Sequence, residues 1–123
     1  MNIEPVDYKY QLKSESSFKT EIKGYKVESD YYSLDVAGWL SLKKGYAWNG
    51  ATAAIDSEDF MNASAIHDAF YQMIAQGELP EAERISADEE LRRFCIAAGM
   101  TRLRAQYVYL AVRAFGGFFA RKK

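Results

Sequence analysis

The chain has 123 residues, of which 49% are hydrophobic and 27% charged, with two prolines, eight glycines and a formal net charge of −1. This composition excludes a disordered, collagen-like or low-complexity chain, and the length suits a single domain, 1–123, whose core needs no covalent staples. The one cysteine, Cys95, excludes an internal disulfide, and no stretch of about 18 uninterrupted apolar residues reads as a transmembrane segment.

In chain order, residues 8–12 offer a first short strand. Residues 18–23 alternate apolar and polar side chains, the period of a half-buried strand. Gly24 interrupts the alternation, residues 25–28 resume it, and Ser29 with Asp30 supplies turn chemistry. Residues 34–36 and 39–42 continue the pattern, with Gly38 at a bend. The expectation for residues 1–50 is an antiparallel sheet of three to five short strands with one wet face. A loop then leads to the helices. Its Asn49 and Gly50 form a turn signal, and Gly45, Tyr46, Trp48, Asn49, Gly50 and Thr52 make it a candidate binding loop.

After Gly50 the texture changes to helix. Ser57, Glu58 and Asp59 mark a helix start, and Gly77 with Pro80 marks its stop. Ser86 and Glu89 form a capping-box pattern for a second helix that ends at Gly99. Thr101 is the expected cap of a third helix, stopped after Phe115 by Gly116 and Gly117, with 118–123 as a basic tail. The fold class is α+β: an N-terminal sheet followed by three packed helices over 57–117.

At 100° per residue, Phe60, Ala63, Phe70, Tyr71 and Ile74 all lie within about 60° of His67. The only histidine of the chain therefore sits in the apolar stripe of the first helix, where both ring nitrogens need a carboxylate, carbonyl, hydroxyl or metal. Asp68 lies at the edge of that stripe. On the second helix Ala87, Leu91, Phe94, Cys95 and Ala98 form the buried stripe, and Asp88 lies at its margin, placed either to reach His67 or to pair with Arg92 at i+4. Cys95 reads as a small core residue. The third helix is apolar almost all round: Leu103, Tyr107, Leu110, Ala111, Ala114 and Phe115 share a broad face, with Val108 and Val112 opposite. Such a helix is either central or buries a second face in a protein partner or another copy of the chain. Its Arg113 needs an acid, for which Asp68 and Asp88 are candidates.

Charge is uneven. Residues 101–123 carry six Lys and Arg and no acid, whereas the first 100 hold ten Lys and Arg against seventeen Asp and Glu. The basic end complements a helix dipole and the acidic body, or else it meets nucleic acid or an anionic membrane.

Several of these residues arrive in a familiar order. Gly45 and Tyr46, then Trp48, Asn49, Gly50, Ala51 and Thr52, then Ala65, Ile66, His67, Asp68 and Tyr71, then Arg84 with Ala87 and Asp88, and finally Ala111, Val112, Arg113 and Gly116 resemble a phage and prophage family catalogued as domain of unknown function 1353. The likeness spans about residues 36–117. Asn49 stands where that family usually has aspartate, and a neutral amide is the weaker ligand for a hard cation. The resemblance implies a phage or prophage origin. The function it suggests is a small accessory module, virion- or tail-associated or interacting with a host protein. Such a module would lie in the host cytoplasm and be incorporated in the virion. His67, Asp88, Arg113 and Asp68 would then form a structural polar cluster that needs no cofactor.

A second resemblance leads to an enzyme. His67, Asp68 and Tyr71 are similar to the H-D-x-x-Y element of phospholipase A2 enzymes. That likeness implies a hydrolase in which His67 is the general base and Asp88 the acid that orients it. Tyr71 would be a further catalytic candidate, and Asp68 a calcium ligand helped by carbonyls of the loop between Gly45 and Gly50.

Overall fold

A computed structural model of the chain describes residues 10–48 and 60–120. It is α+β, with strands first and three helices after, and it divides into two compact units, Met1–Gly50 and Ala51–Lys123.

The first unit is built of short antiparallel strands. β1 (Tyr10–Gln11) pairs with β6 (Ala47–Trp48), while β2 (Ser16–Lys19), β3 (Val27–Glu28), β4 (Tyr32–Leu34) and β5 (Trp39–Leu42) form a four-stranded sheet in the order β2-β5-β4-β3. The register places Phe18 opposite Leu40, and Leu40 opposite Leu34, which in turn faces Val27. Because side chains alternate along a strand, this register puts Tyr32, Leu34, Leu40, Leu42 and Val27 on one buried face. The other face carries Ser17, whose Oγ meets that of Ser41 at 2.9 Å, together with Lys19 and the exposed Trp39.

The strand expected over 18–23 ends at Lys19 for a local reason. Thr20 Oγ1 donates to the Gly38 carbonyl at 2.7 Å and accepts from the Ile22 amide at 3.3 Å, so a side chain takes over backbone bonding there. Gly38 lies so close to the Thr20 carbonyl that a Cβ would collide with it. The hairpin between β4 and β5 is held by Asp35, whose Oδ1 accepts from the amides of Ala37 and Trp39, both at 3.0 Å.

The second unit packs three helices on one another: α1 (Met61–Ala75), α2 (Arg84–Ala97) and α3 (Arg102–Ala120). The start expected at Ser57, Glu58 and Asp59 lies outside the described residues. α1 and α2 end in the same way. Gly77 and Gly99 take positive φ, of 81° and 112°, and the following amides, Glu78 and Met100, reach back to the carbonyls of Met73 and Cys95 at 2.8 and 3.0 Å. This is the Schellman arrangement, which satisfies the otherwise orphaned C-terminal carbonyls. Ser86 and Glu89 form no capping box: a 3-10 turn at Glu81–Glu83 already starts the helix, and Ser86 lies inside it. Thr101 does cap α3, accepting from the Arg104 amide at 3.2 Å.

One expectation about α3 is corrected. The helix runs through Gly116 and Gly117 to Ala120, and Gly116 is buried at the point where the Tyr71 hydroxyl approaches so closely that a Cβ would collide. Glycine is there for space, not to stop a helix. The most enclosed helix is α1, with Ala63, Ala65 and Ala69 letting neighbours approach it on several sides. α3 turns Ala105, Val108 and Val112 inward, to a core shared with Ala63, Leu91, Cys95 and Met100. Ala98, expected in the stripe of α2, is exposed because it caps the helix end.

Candidate functional site

α1 presents His67 and, one turn later, Tyr71 on the same side, and their rings lie 4.2 Å apart between centroids. α2 presents Asp88 and α3 presents Arg113. These four side chains meet inside the helical unit. His67 Nε2 lies 2.7 Å from Asp88 Oδ1, and the Tyr71 hydroxyl donates to that same oxygen at 2.6 Å. Arg113 Nη1 donates to the other carboxylate oxygen, Oδ2, at 2.9 Å. Arg84, one turn before Asp88 on α2, stands 3.8 Å from Oδ2 and donates to the Tyr71 hydroxyl and to the Val112 carbonyl, each at 3.4 Å.

Asp88 is 0% exposed and His67 5%, so the carboxylate has no access to water and depends on these groups for its solvation. Burial alone would raise the Asp88 carboxyl. The hydrogen bond from His67, together with the donors of Tyr71 and Arg113 and the positive charge around the carboxylate, outweighs it and holds the group below its ordinary value. The same burial, followed by the hydrogen bond to Asp88, pushes the Tyr71 phenol well above its ordinary value. Asp88 is therefore a buried anion on α2 with donors from α1 and α3, and Tyr71 stays a donor.

In the tautomer that donates Nε2–H to Asp88, the lone pair of His67 lies on Nδ1. The pair thus has the orientation of an acid-held general base, within a ring that is almost wholly enclosed.

The structure brings together His67, Asp88, Tyr71 and Arg113, as the sequence suggests, and adds Arg84. Its signal was its position at i−4 from Asp88 on the same helix face, whereas the partner weighed from sequence was Arg92 at i+4. Arg92 instead donates to Gln106 at 2.6 Å and stacks over the Tyr109 ring at 4.0 Å, clamping α2 to α3. Asp68 is half-buried and is not among the groups holding Asp88. Among the described residues no three His, Cys, Asp or Glu side chains converge as a metal site would require.

Of the candidate binding loop, Gly45, Tyr46 and Trp48 are described, whereas Asn49, Gly50 and Thr52 lie outside the described residues. Tyr46 and Trp48 are buried, with rings stacked at 5.8 Å, and Trp48 belongs to a strand where a loop was expected. They are core residues of the first unit. No protein-family model, curated protein or solved structure matches the chain. No described helix is long and apolar enough to cross a membrane.

Proposed function

We propose that this protein is a small, non-catalytic phage or prophage accessory module, virion- or tail-associated or bound to a host protein. In this reading the His67, Asp88 and Arg113 cluster locks its helices together and is not a reaction centre. The observation that carries the reading is the enclosure of Asp88, which has no exposed surface and whose two oxygens already take donors from α1 and α3. A reacting carboxylate–imidazole pair needs an imidazole face open to substrate, whereas His67 is itself only 5% exposed. The phage setting rests on the motif order from Gly45 to Gly116. Mass spectrometry of purified particles tests it: recovery of the chain in fixed stoichiometry is expected for a virion part, and consistent absence refutes that part of the reading.

A second reading, hydrolysis with His67 as base, draws on the 2.7 Å contact that holds the imidazole in one orientation. It requires ester or lipid turnover that His67→Gln abolishes while the fold is kept. In the version with Asp68 as ligand, it also requires that millimolar calcium raise the melting temperature. Absence of turnover by the parent protein sinks it.

A further inference from the structure

The polar cluster of the helical unit gathers more positive charge than it neutralises. Arg84, at the start of α2, and Arg113, on α3, converge on one carboxylate oxygen, Asp88 Oδ2, at 3.8 and 2.9 Å. Against these two cations the cluster sets a single carboxylate, and a guanidinium cannot shed its proton to relieve the excess. Nor does water cancel it fully, because the side chains are only 17% and 29% exposed. Two like charges side by side and partly desolvated repel each other more strongly than they would in water. Both side chains nevertheless keep some surface open, so a small anion can reach them from solvent.

We propose that Arg84 and Arg113 form a phosphate-binding site at the junction of α2 and α3, which takes inorganic phosphate or the terminal phosphate of a small monoester. The proposal deepens the reading of the cluster as a lock and rests on it, since the anion braces helices already joined at Asp88. It does not depend on the phage setting.

Charge, donor geometry and enclosure select this ligand. An anion cancels the surplus of the cluster, and it does so where screening by water is weakest. Both arginines make their contacts through Nη1, one nitrogen of a planar fork with five N–H donors, the shape that grips a phosphate through two oxygens at once. The two forks are neighbours: Arg84 Nη1 also reaches the carbonyl of Val112, the residue before Arg113, at 3.4 Å. The bonds of Arg84 are the long ones of the cluster, so it can turn toward a ligand while Asp88 keeps the donors of His67, Tyr71 and Arg113. Finally, side chains so largely covered admit a small group with several free oxygens. A phosphate inside a nucleic-acid chain carries a substituent on each side and does not enter as far.

Isothermal titration calorimetry of the full chain with sodium phosphate, up to about 50 mM at ionic strength held constant with chloride, tests the proposal together with melting scans in the same buffers. Saturable binding is expected, and at a free phosphate ten times the dissociation constant the melting temperature should rise by about 4–6 °C. Arg84→Gln should raise the dissociation constant by at least about tenfold. Arg84→Lys keeps the charge, loses the fork and should weaken binding by at least about threefold. Neutralising the tail at Arg121, Lys122 and Lys123 should change nothing. Dimethyl phosphate, a diester, should bind at least about tenfold more weakly than phenyl phosphate, a monoester. A parent without saturable heat, whose melting temperature follows the chloride controls, overturns the proposal. So does binding that both Arg84 variants retain in full or that the tail variant abolishes. Acetate binding as tightly as phosphate overturns the choice of phosphate, and equal binding of the two esters overturns the terminal group. If phosphate does nothing while Asp88→Ala still melts far below the parent, the lock stands without a ligand. If Asp88→Ala is harmless while phosphate binds, the lock fails instead, so the two failures are distinguishable.

Discussion

Replacing Asp88 by alanine removes the anion on which the polar cluster of the helical unit converges. The variant loses an anion with 0% exposure and leaves three donors facing an empty space: His67 Nε2, the Tyr71 hydroxyl and Arg113 Nη1. The two from α1 sit on residues that are themselves buried, so water does not simply replace the lost carboxylate. The two guanidinium groups are better placed, with side-chain exposures of 17% for Arg84 and 29% for Arg113, and they recover part of their hydration. Removal of one partner from a buried ionic cluster costs about 3–5 kcal/mol, a large share of the roughly 5–15 kcal/mol that keeps a domain folded. For a chain of this length that corresponds to a fall in melting temperature of about 10–20 °C.

Asp88→Asn should lie between variant and parent. Its carbonyl still accepts from His67 and Tyr71, but its amide then points a donor at the donor of Arg113. Thermal unfolding followed by circular dichroism at 222 nm, repeated with urea, reads both variants. If Asp88→Ala melts within about 3 °C of the parent, a shift worth less than about 1 kcal/mol, the carboxylate is not the enclosed, multiply bonded group described above and the lock account fails.

Acid should act through the same residue. The folded state holds the Asp88 carboxyl below its ordinary value of about 3.9, so its contribution is fully present above that pH and is lost as pH falls through the lower folded value. The parent should therefore lose stability steeply below about pH 4, and Asp88→Ala should show a flatter profile in the same scans; parallel profiles would refute this. Gly116→Ala raises helix propensity by about 1 kcal/mol, yet it drives a methyl group into Tyr71, which holds Asp88. The expected net result is a loss of about 1–3 kcal/mol, and a higher melting temperature would refute the close approach. Burial pushes the Cys95 thiol up to about 11, although Arg104 pulls it down, so an aromatic disulfide reagent at pH 8 should react slowly with the native protein and promptly after unfolding. Rapid labelling of the native state would contradict the packing of that core.

The parts of this fold that follow from local periodicity were legible in the sequence. The alternation around Phe18, Leu34 and Leu40 specified a sheet with one wet face, and the stripe centred on His67 specified an inward imidazole, because each rests on the spacing of neighbours along one element. The meeting of His67 with Asp88 was legible as an option only. Its choice over the ion pair with Arg92 was decided by how two helices rotate against each other, which no single-helix wheel contains. Three of the departures have a common origin. Gly116, Ser86 and Trp48 were each given the role their residue type most often plays, and in each case tertiary context overrode it. A glycine made room for Tyr71, a capping serine was overtaken by an earlier turn, and a tryptophan in a turn-rich stretch found a strand partner in Tyr10.

The donors that gather on Asp88 come from positions 67, 71 and 113, so they are scattered over nearly fifty residues of chain. Fraying of α3 past Arg113 strips a positive charge from an anion that cannot reach water, and detachment of α1 strips two donors at once. Partial opening of any one helix is therefore penalised almost as heavily as losing all three. Amide hydrogen exchange should accordingly find α1, α2 and the first three turns of α3 releasing their protons together, as one cooperative block and not helix by helix.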